Sequence, residues 1–172
     1  MKIYVGGALF NEAEIDFTKK VANKIRKELG NDVDIYVPAE NENLNEVRYG
    51  YGFDPTIIFN EDNTYLKEAD ILIAILDGRV PDLGLLVELG YFASLLDNGK
   101  KKGLILGLQT NTLLKELTEE NKLDLLKMTN QAFMHQNLYV HGAIKSFGDI
   151  YVSSDAVVDE VIKYVRGNSN EK

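Results

Sequence analysis

The sequence predicts an α/β protein, a doubly wound parallel sheet with helices on both faces. Short apolar segments rich in β-branched residues alternate five times with longer segments in which apolar residues recur every three or four positions. The links between them are short, which favours parallel strands joined by crossover helices. The segment from Ile71 to Leu76 is apolar throughout, as expected for a strand that is covered on both faces.

Five short segments are expected to form the strands. Most of them are bounded by Gly, Pro, Asp or Ser, which end strands. In chain order they are residues 2–5, 34–37, 71–76, 103–108 and 149–152. Residues 40–53 carry Tyr and Phe between glycines. We expect a lid there, because long loops in compact domains are usually functional or disordered and aromatic residues disfavour disorder.

Four amphipathic or apolar segments are expected to form helices. They cover residues 11–30, 54–69, 82–96 and 154–167. Each begins at a residue that caps helices well, namely Asn11, Asp54, Asp82 and Ser154. Gly30 and Gly167 are expected to close the first and the last helix. Residues 109–136 are expected to add one or two helices, and residues 137–143 read as a short connecting segment.

One domain is expected over residues 1–167, followed by a disordered tail at 168–172, because 172 residues suffice for a single core. The net charge of −8 argues against nucleic acid or an anionic membrane as partner, since both bind clustered Lys and Arg. No apolar stretch reaches the roughly 18 residues of a membrane span. The chain has no cysteine for disulfides. We therefore expect a cytoplasmic protein.

Ligands of parallel sheets bind beyond the carboxyl ends of the strands, where the strand order reverses. Gly6-Gly7, residues 77–84 and the segment after Asn137 are expected at or near that edge. Two glycines at a strand end form a turn or let a neutral ligand approach the backbone. Neither G-x-G-x-x-G nor the P-loop spacing is present, so the sequence offers no evident phosphate loop.

Glu88 is the one acid on a helix that is otherwise apolar on almost every face. An unpaired buried charge costs several kcal/mol, so this carboxylate must be paired or used. Pairing to Lys or Arg at a helix edge is the structural alternative. Gly84, four residues earlier, costs roughly 1 kcal/mol relative to Ala inside a helix, which a ligand approaching the backbone would explain. Tyr91 could hydrogen-bond the carboxylate.

Two further carboxylates are expected near the same cleft. Asp62 interrupts the apolar stripe formed by Ile58, Leu66 and Ala69, although a twisted helix end would place it in solvent. Asp82 stands where the next helix begins, so its structural alternative is a cap worth about 1 kcal/mol. Three such acids suit a displacement in which one attacks a sugar-like carbon and another manages the proton of the leaving group.

A metal is the rival use of clustered acids. Hard cations favour closely spaced carboxylates in one loop, whereas these acids lie on two separate helices. His135 and His141 do not have paired metal-ligand spacing. The spacing of these residues therefore argues against a metal site.

At these residues the chain resembles the nucleoside 2-deoxyribosyltransferase family. The resemblance covers most of residues 1–165, and its most specific part is the D-x-G-x-x-x-E-L-G-Y block after a buried strand. The segments that carry it are Ile3-Tyr4-Val5-Gly6-Gly7-Ala8-Leu9-Phe10, the helix with Asp62, Asp82-x-Gly84-x-x-x-Glu88-Leu89-Gly90-Tyr91, and Asn137-Leu138-Tyr139 before Gly142. It implies a flavodoxin-like five-stranded fold and a homo-oligomer. It also implies an enzyme of nucleotide salvage that exchanges the base of a 2′-deoxynucleoside for a free nucleobase. The implied reaction needs neither a metal nor an organic cofactor.

The resemblance also implies roles for individual residues. Glu88 would attack C1′ and form a covalent intermediate with net retention, and Tyr4 would orient it. Asp62 and Asp82 would face the nucleobase, and either could shuttle its proton. The other substrate-binding residues implied are Gly6, Gly7, Phe10, Gly84, Asn137 and Tyr139. Of these, Asn137 and Tyr139 would reach into the site of a neighbouring subunit.

Two alternatives remain open on the sequence. A hydrolase of the same fold would release the base from deoxynucleosides without a second base. A receiver-like signalling module would use Asp77 as phospho-acceptor, but receivers also need acidic residues after the first strand, where this chain has Gly6-Gly7. Related 5′-monophosphate hydrolases have Ser and Arg after the first glycine. Their absence here favours an unphosphorylated sugar.

Overall fold

Five parallel strands form one sheet in the order β2-β1-β3-β4-β5. The structure is a computed structural model and describes residues 1–42, 44, 54–78, 80–110 and 137–169. The strands are β1 (Lys2–Gly6), β2 (Asp34–Tyr36), β3 (Ile71–Ile75), β4 (Leu104–Leu108) and β5 (Gly148–Tyr151). This order reverses between β1 and β3, and it confirms the predicted doubly wound, flavodoxin-like fold.

Five α-helices cover the two faces of the sheet within the described residues. They are α1 (Glu12–Leu29), α2 (Pro55–Glu68), α3 (Leu83–Asp97), α4 (Leu138–Phe147) and α5 (Ser154–Ser169). Short 3-10 turns follow α1 at Gly30–Asp32 and β2 at Pro38–Glu40. None of the described helices is both long and apolar enough to cross a bilayer.

Two hydrophobic cores lie on opposite faces of the sheet. One core joins the sheet to α1 and α5 through residues such as Val21 and Val161. The other joins the sheet to α2, α3 and α4 through residues such as Leu66, Phe92 and Ile144. Side chains alternate between the faces along a strand, so Tyr4 of β1 points into the second core. That core holds the helices that carry Asp62 and Glu88.

Helix capping follows the sequence prediction at three sites. Asn11, Asp54 and Asp82 each accept a hydrogen bond from a backbone N–H in the first turn of α1, α2 and α3, respectively. Such a cap contributes about 1 kcal/mol and fixes where the helix begins. For α3 this sets the position of Glu88 relative to the strand ends.

Residues 137–143 are helical rather than a connecting segment, so this prediction is wrong. Asn137 caps α4, because its side chain accepts a hydrogen bond from the N–H of Tyr139 at 2.8 Å. Val140, Ile144 and Phe147 follow at helical spacing and pack in the second core. The helix was missed because Gly142 and the following strand shorten its apolar pattern.

The bounds of α5 also differ from the prediction. Ser153, not Ser154, accepts the hydrogen bond from the N–H of Asp155, at 3.2 Å, while Ser154 accepts one from Lys24. The helix continues through Gly167 to Ser169, since a single glycine in the last turn costs only about 1 kcal/mol. The helices predicted within 111–136 and most of the loop predicted at 40–53 lie outside the described residues.

Candidate active site

The carboxylates lie beside the end of β1, where the strand order reverses. A Cβ on Gly6 would stand 2.7 Å from Cδ1 of Leu85 and 3.3 Å from Oε2 of Glu88. The missing side chain therefore lets α3 approach the strand and brings the Glu88 carboxyl group against it. The space beside Gly6 is thus occupied by the protein's own side chains.

Glu88 is partly buried on α3 and is surrounded by acids rather than bases. Burial raises the pKa of Glu88 to about 7, and the Asp62 carboxylate adds to this increase. Hydrogen bonding from Tyr4 acts in the opposite direction, and Asp82 adds a smaller increase. No Lys or Arg forms an ion pair with Glu88 in the part of the chain that the structure describes. Among the residues that the structure describes, the alternative of a glutamate paired to Lys or Arg finds no support.

Tyr4 is completely buried, and its hydroxyl oxygen completes no hydrogen bond of normal geometry with the described residues. The hydroxyl nevertheless approaches Glu88 closely enough to lower the pKa of that carboxyl group. Burial, followed by the charge of Glu88, raises the pKa of Tyr4 well above its usual value, so Tyr4 stays a phenol. A buried polar atom without a partner costs about 1–3 kcal/mol. A small shift of the Glu88 carboxyl group would complete the hydrogen bond from this hydroxyl and remove that cost.

Asp62 is buried, with 8% of its surface exposed, although it lies on the otherwise amphipathic α2. Its Oδ1 accepts a hydrogen bond of 2.7 Å from the hydroxyl of Tyr36. Its charge acts on both Glu88 and Tyr4, which places the three groups in one cluster. The alternative that Asp62 lies in solvent at a twisted helix end is therefore wrong.

Asp82 combines the two roles that the sequence leaves open. Its Oδ1 accepts a hydrogen bond of 2.8 Å from the N–H of Leu85 and so caps α3. Its charge also raises the pKa of Glu88. A Cβ on Gly84 would stand 3.1 Å from Oδ1 of Asp82. The glycine therefore keeps space beside the capping carboxylate.

The remaining residues expected in substrate binding form no hydrogen bond with the three acids in the described part of the chain. A Cβ on Gly7 would meet Thr18 and Ile75, so this glycine faces the α1 side of the sheet. Phe10 is 76% exposed and Tyr139 is 86% exposed. Asn137 is exposed and caps α4. No hydrogen bond among the described residues joins any of these three to the carboxylates.

Tyr36 and Asn41 belong to the site but do not stand out in the sequence. Tyr36 donates to Asp62, and Nδ2 of Asn41 donates to the Tyr36 hydroxyl at 3.2 Å. The signal lies in the pairing of the strands, because the register of β1 with β2 sets Tyr36 directly beside Tyr4. Two neighbouring tyrosines on one face of parallel strands point toward the same helices.

Asp77 follows β3 but is engaged by other residues. Its Oδ1 and Oδ2 accept hydrogen bonds from the N–H and the hydroxyl of Thr110, each at 2.6 Å. It also lines a cavity of about 230 Å³ together with Glu14 and Phe17. This cavity lies against α1 and contains none of the three clustered acids. The receiver-like alternative gains no support from this geometry.

No group of three or more His, Asp or Glu side chains in the described ranges is arranged to hold a metal ion.

The strand order and the acidic site together define the class of protein. It is a flavodoxin-like α/β protein with clustered carboxylates at the point where the strand order reverses. The sequence profile of the nucleoside 2-deoxyribosyltransferase family matches residues 3–133. The chain therefore belongs to that family of transferase enzymes.

The chain is also similar to a curated relative and to solved structures. An uncharacterized protein of Ureaplasma parvum serovar 3 is 37% identical over 101 residues, which are 55% of this chain and 61% of that protein. The match thus spans less than two thirds of that relative's length. A conserved protein from Enterococcus faecalis V583 shares 28% identity, with a TM-score of 0.73, over 95% of this chain and 98% of its own.

A 2-deoxyribosyltransferase from the psychrotolerant bacterium Bacillus psychrosaccharolyticus has the same fold. The two chains share 24% identity with a TM-score of 0.61, over 92% of this chain and 90% of that enzyme. At this identity the likeness shows the fold.

Proposed function

We propose that this protein transfers the 2-deoxyribosyl group between nucleobases through a covalent intermediate on Glu88. The observation that carries the proposal is the environment of Glu88, partly buried between Asp62 and Asp82 with the Tyr4 hydroxyl beside it. Family membership supplies the reaction class. The substrates are a 2′-deoxynucleoside and a free nucleobase.

In the first step an oxygen of ionised Glu88 attacks C1′ as the C1′–N bond breaks. The electron pair of that bond leaves with the base nitrogen, and a protonated carboxyl group, Asp62 or Asp82, delivers the proton. Burial and the Asp62 charge hold a proton on Glu88 up to about pH 7, so the cluster carries a proton that can move to the base at neutral pH. The products are a deoxyribosyl ester of Glu88 and the free base.

In the second step the incoming base attacks C1′ from the side that the first base left. The ester bond breaks, Glu88 recovers its charge, and the proton of the incoming nitrogen passes to the carboxylate that gave one up. Two inversions give net retention. Tyr4 donates to the non-attacking oxygen of Glu88 and holds the carboxyl plane toward C1′.

We propose that a second copy of the chain completes each site. Leu83, Val87, Leu138 and Tyr139 are large apolar residues exposed at the beginnings of α3 and α4, with exposures from 64% to 86%. Asn137 lies at the same end of α4 as Tyr139. A symmetric dimer formed through such surfaces would bring Asn137 and Tyr139 of one subunit to the Glu88 cleft of the other.

Base exchange is the direct test. Purified protein is incubated with deoxyinosine, with and without adenine, and then with other deoxynucleosides and bases to find the accepted class. We expect deoxyadenosine to form when adenine is present. Release of hypoxanthine at full rate without adenine would instead establish the hydrolase alternative, in which water takes the place of the second base.

Glu88→Ala tests the nucleophile. We expect loss of exchange by at least about a thousandfold with the fold intact, because the covalent step has no other carboxylate in place. Mass spectrometry of the wild type with substrate alone should show a deoxyribosyl adduct on Glu88. Glu28→Ala, at an exposed position on α1, is the matched control and should keep full activity. An active Glu88→Ala variant would contradict the mechanism.

A further inference from the structure

We propose that Tyr36 is a positioning residue that fixes the Asp62 carboxyl group for proton transfer to the departing base. This inference rests on the proposed transferase function and deepens it. Tyr36 touches neither the sugar nor Glu88 in the proposed reaction. It acts through Asp62.

The directions of the hydrogen bonds around the Tyr36 hydroxyl show that its proton points to Asp62. The Tyr36 hydroxyl donates to Oδ1 of Asp62 at 2.7 Å, and it accepts from Nδ2 of Asn41 at 3.2 Å. The amide orientation of Asn41 is set by its other end, since its Oδ1 accepts from the N–H of Leu44 at 3.3 Å. A phenol has one proton to donate. Because Asn41 approaches as a donor, that proton points to Asp62.

The Tyr36 ring is held by aromatic neighbours on two sides. It stacks on Tyr65 with 3.6 Å between ring centroids and 9° between planes. It meets Tyr4 at 5.3 Å and 46°. The Tyr36 ring therefore contacts both Tyr4, which lies beside Glu88, and Tyr65 of α2. Contacts on two sides limit the rotation of the Tyr36 ring.

The backbone that presents Asn41 is also held in place. Asn41 follows the 3-10 turn Pro38–Glu40, and its N–H donates to the carbonyl of Pro38 at 3.2 Å. The guanidinium group of Arg26 on α1 donates hydrogen bonds to both carboxylate oxygens of Glu40, at 2.6 and 3.0 Å. A bidentate pair of this geometry fixes orientation as well as distance. The donor to Tyr36 is thus anchored to the body of the domain.

The phenol stays protonated over the working pH range. Burial raises the pKa of Tyr36, the Asn41 hydrogen bond opposes this, and the Asp62 charge raises it further. Tyr36 is therefore a permanent donor and not itself a proton shuttle. Its hydrogen bond to Oδ1 sets the plane of the Asp62 carboxyl group, and with it the direction in which Asp62 can pass a proton.

Tyr36→Phe keeps the ring and removes the hydroxyl, so it tests this role with little change in packing. The assay uses a leaving-group series from the class that the wild type accepts, either 6-substituted purine or 5-substituted uracil deoxynucleosides. A base that leaves easily needs little proton transfer. We expect kcat/KM to fall about tenfold or more for the poorest leaving base, as for loss of a hydrogen bond to a charged group, and less than about twofold for the best.

Two further variants keep the test decisive. Asn41→Ala leaves the phenol in place but removes the donor that directs its proton, so it should show a smaller loss with the same leaving-group dependence. Tyr164→Phe removes a phenol hydroxyl on α5, on the other face of the sheet, and should match the wild type throughout. Thermal melts establish that each variant is folded.

An equal loss in Tyr36→Phe across the whole series would mean a structural role and would overturn the inference, as would no loss at all. Should Tyr36→Phe fail to fold, the same two results with Asn41→Ala decide the matter. Failure of the proposed function shows up separately. It would appear as absent exchange by the wild type, or as retained exchange by Glu88→Ala, before any tyrosine variant is compared.

Discussion

At the scale of single residues, Glu88 is held in a state between acid and carboxylate. Its pKa of about 7 arises mainly from burial and from the neighbouring charge of Asp62. A nucleophile needs the ionised form, whereas the surroundings favour the protonated one. When Glu88 is ionised, its carboxylate is poorly solvated and is therefore a stronger nucleophile toward the substrate than a carboxylate in water.

The rate of deoxyribosyl-enzyme formation should rise with pH through about 7. Below that pH Glu88 carries a proton and cannot attack, and above it the carboxylate is ionised. Quenched-flow measurement of base release at limiting substrate, between pH 5 and 9, checks this expectation. A profile that stays flat down to pH 5 would place the pKa near that of an ordinary glutamate.

Stability should change with pH in the opposite sense. The pKa of Glu88 is about 7 in the folded state, compared with an ordinary value of 4.5. Between these two pH values the folded state binds a proton that the unfolded state has released. The free energy of unfolding therefore falls as the pH rises through this range. Glu88→Gln removes this loss and should be more stable than the wild type at pH 8, by at most about 3 kcal/mol. The advantage should disappear below pH 4.5. Urea unfolding at pH 4 and pH 8 measures it.

Tyr4→Phe separates the role of the hydroxyl from that of the ring. The hydroxyl lowers the pKa of Glu88, so its removal should shift the rising limb of the pH–rate profile to higher pH. The same change removes a buried oxygen that completes no normal hydrogen bond, so stability should stay equal or increase. The two measurements are a pH–rate profile and a urea titration at pH 6. Lower stability with an unchanged profile would contradict the assigned role.

At the scale of secondary structure, the contact between β1 and α3 sets the geometry of the site. Gly6→Ala would place a methyl group 2.7 Å from Leu85 and 3.3 Å from the Glu88 carboxylate. We expect a loss of about 1–3 kcal/mol and a fall in activity, because the packed side chains of Leu85 and Glu88 have to shift to make room. Gly167→Ala in α5, whose Cβ would meet nothing within 4 Å, is the control and should be slightly stabilising.

Much of the architecture could be predicted at this scale, for identifiable reasons. The strands are short apolar segments bounded by turn residues, and the caps Asn11, Asp54 and Asp82 mark where helices begin. What sequence patterns do not give is the pairing of distant segments. The register that sets Tyr36 beside Tyr4 appears only with the sheet, so the Tyr36–Asp62 hydrogen bond could not be foreseen from either residue alone.

The candidate site shows the same division. Glu88 and Asp62 were predictable because each interrupts an apolar pattern, which a buried charge does only at a cost. The dual role of Asp82 was suggested only by the family resemblance, because capping alone accounts for an aspartate at that position. The structure shows that one carboxylate caps α3 and also acts on Glu88.

At the scale of the whole molecule, mixing of subunits tests whether sites are shared. Glu88→Ala and Asn137→Ala should each be inactive alone if Asn137 serves the site of a neighbour. After the two are unfolded together and refolded, a random mixture should recover about a quarter of wild-type activity, since each site draws one intact residue from each of two subunits. No recovery, with mixed oligomers present by native mass spectrometry, would place both residues in one chain's site.

The junction of α4 and β5 links the sheet to the residues offered to a neighbour. β5 begins at Gly148, directly after the last residue of α4, so no linker separates the helix from the strand. A Cβ on Gly148 would lie 1.9 Å from the carbonyl oxygen of Ile105, so β5 packs closely against β4 at this point. The helix of 10 residues is about 15 Å long, and Asn137 lies at the end that is farther from β5. A tilt of roughly 4° at the junction would displace Asn137 by about 1 Å, enough to reduce a rate about a hundredfold. In an oligomer that shares its sites as proposed, the position of the edge strand in one subunit would then set the position of Asn137 in the site of the next.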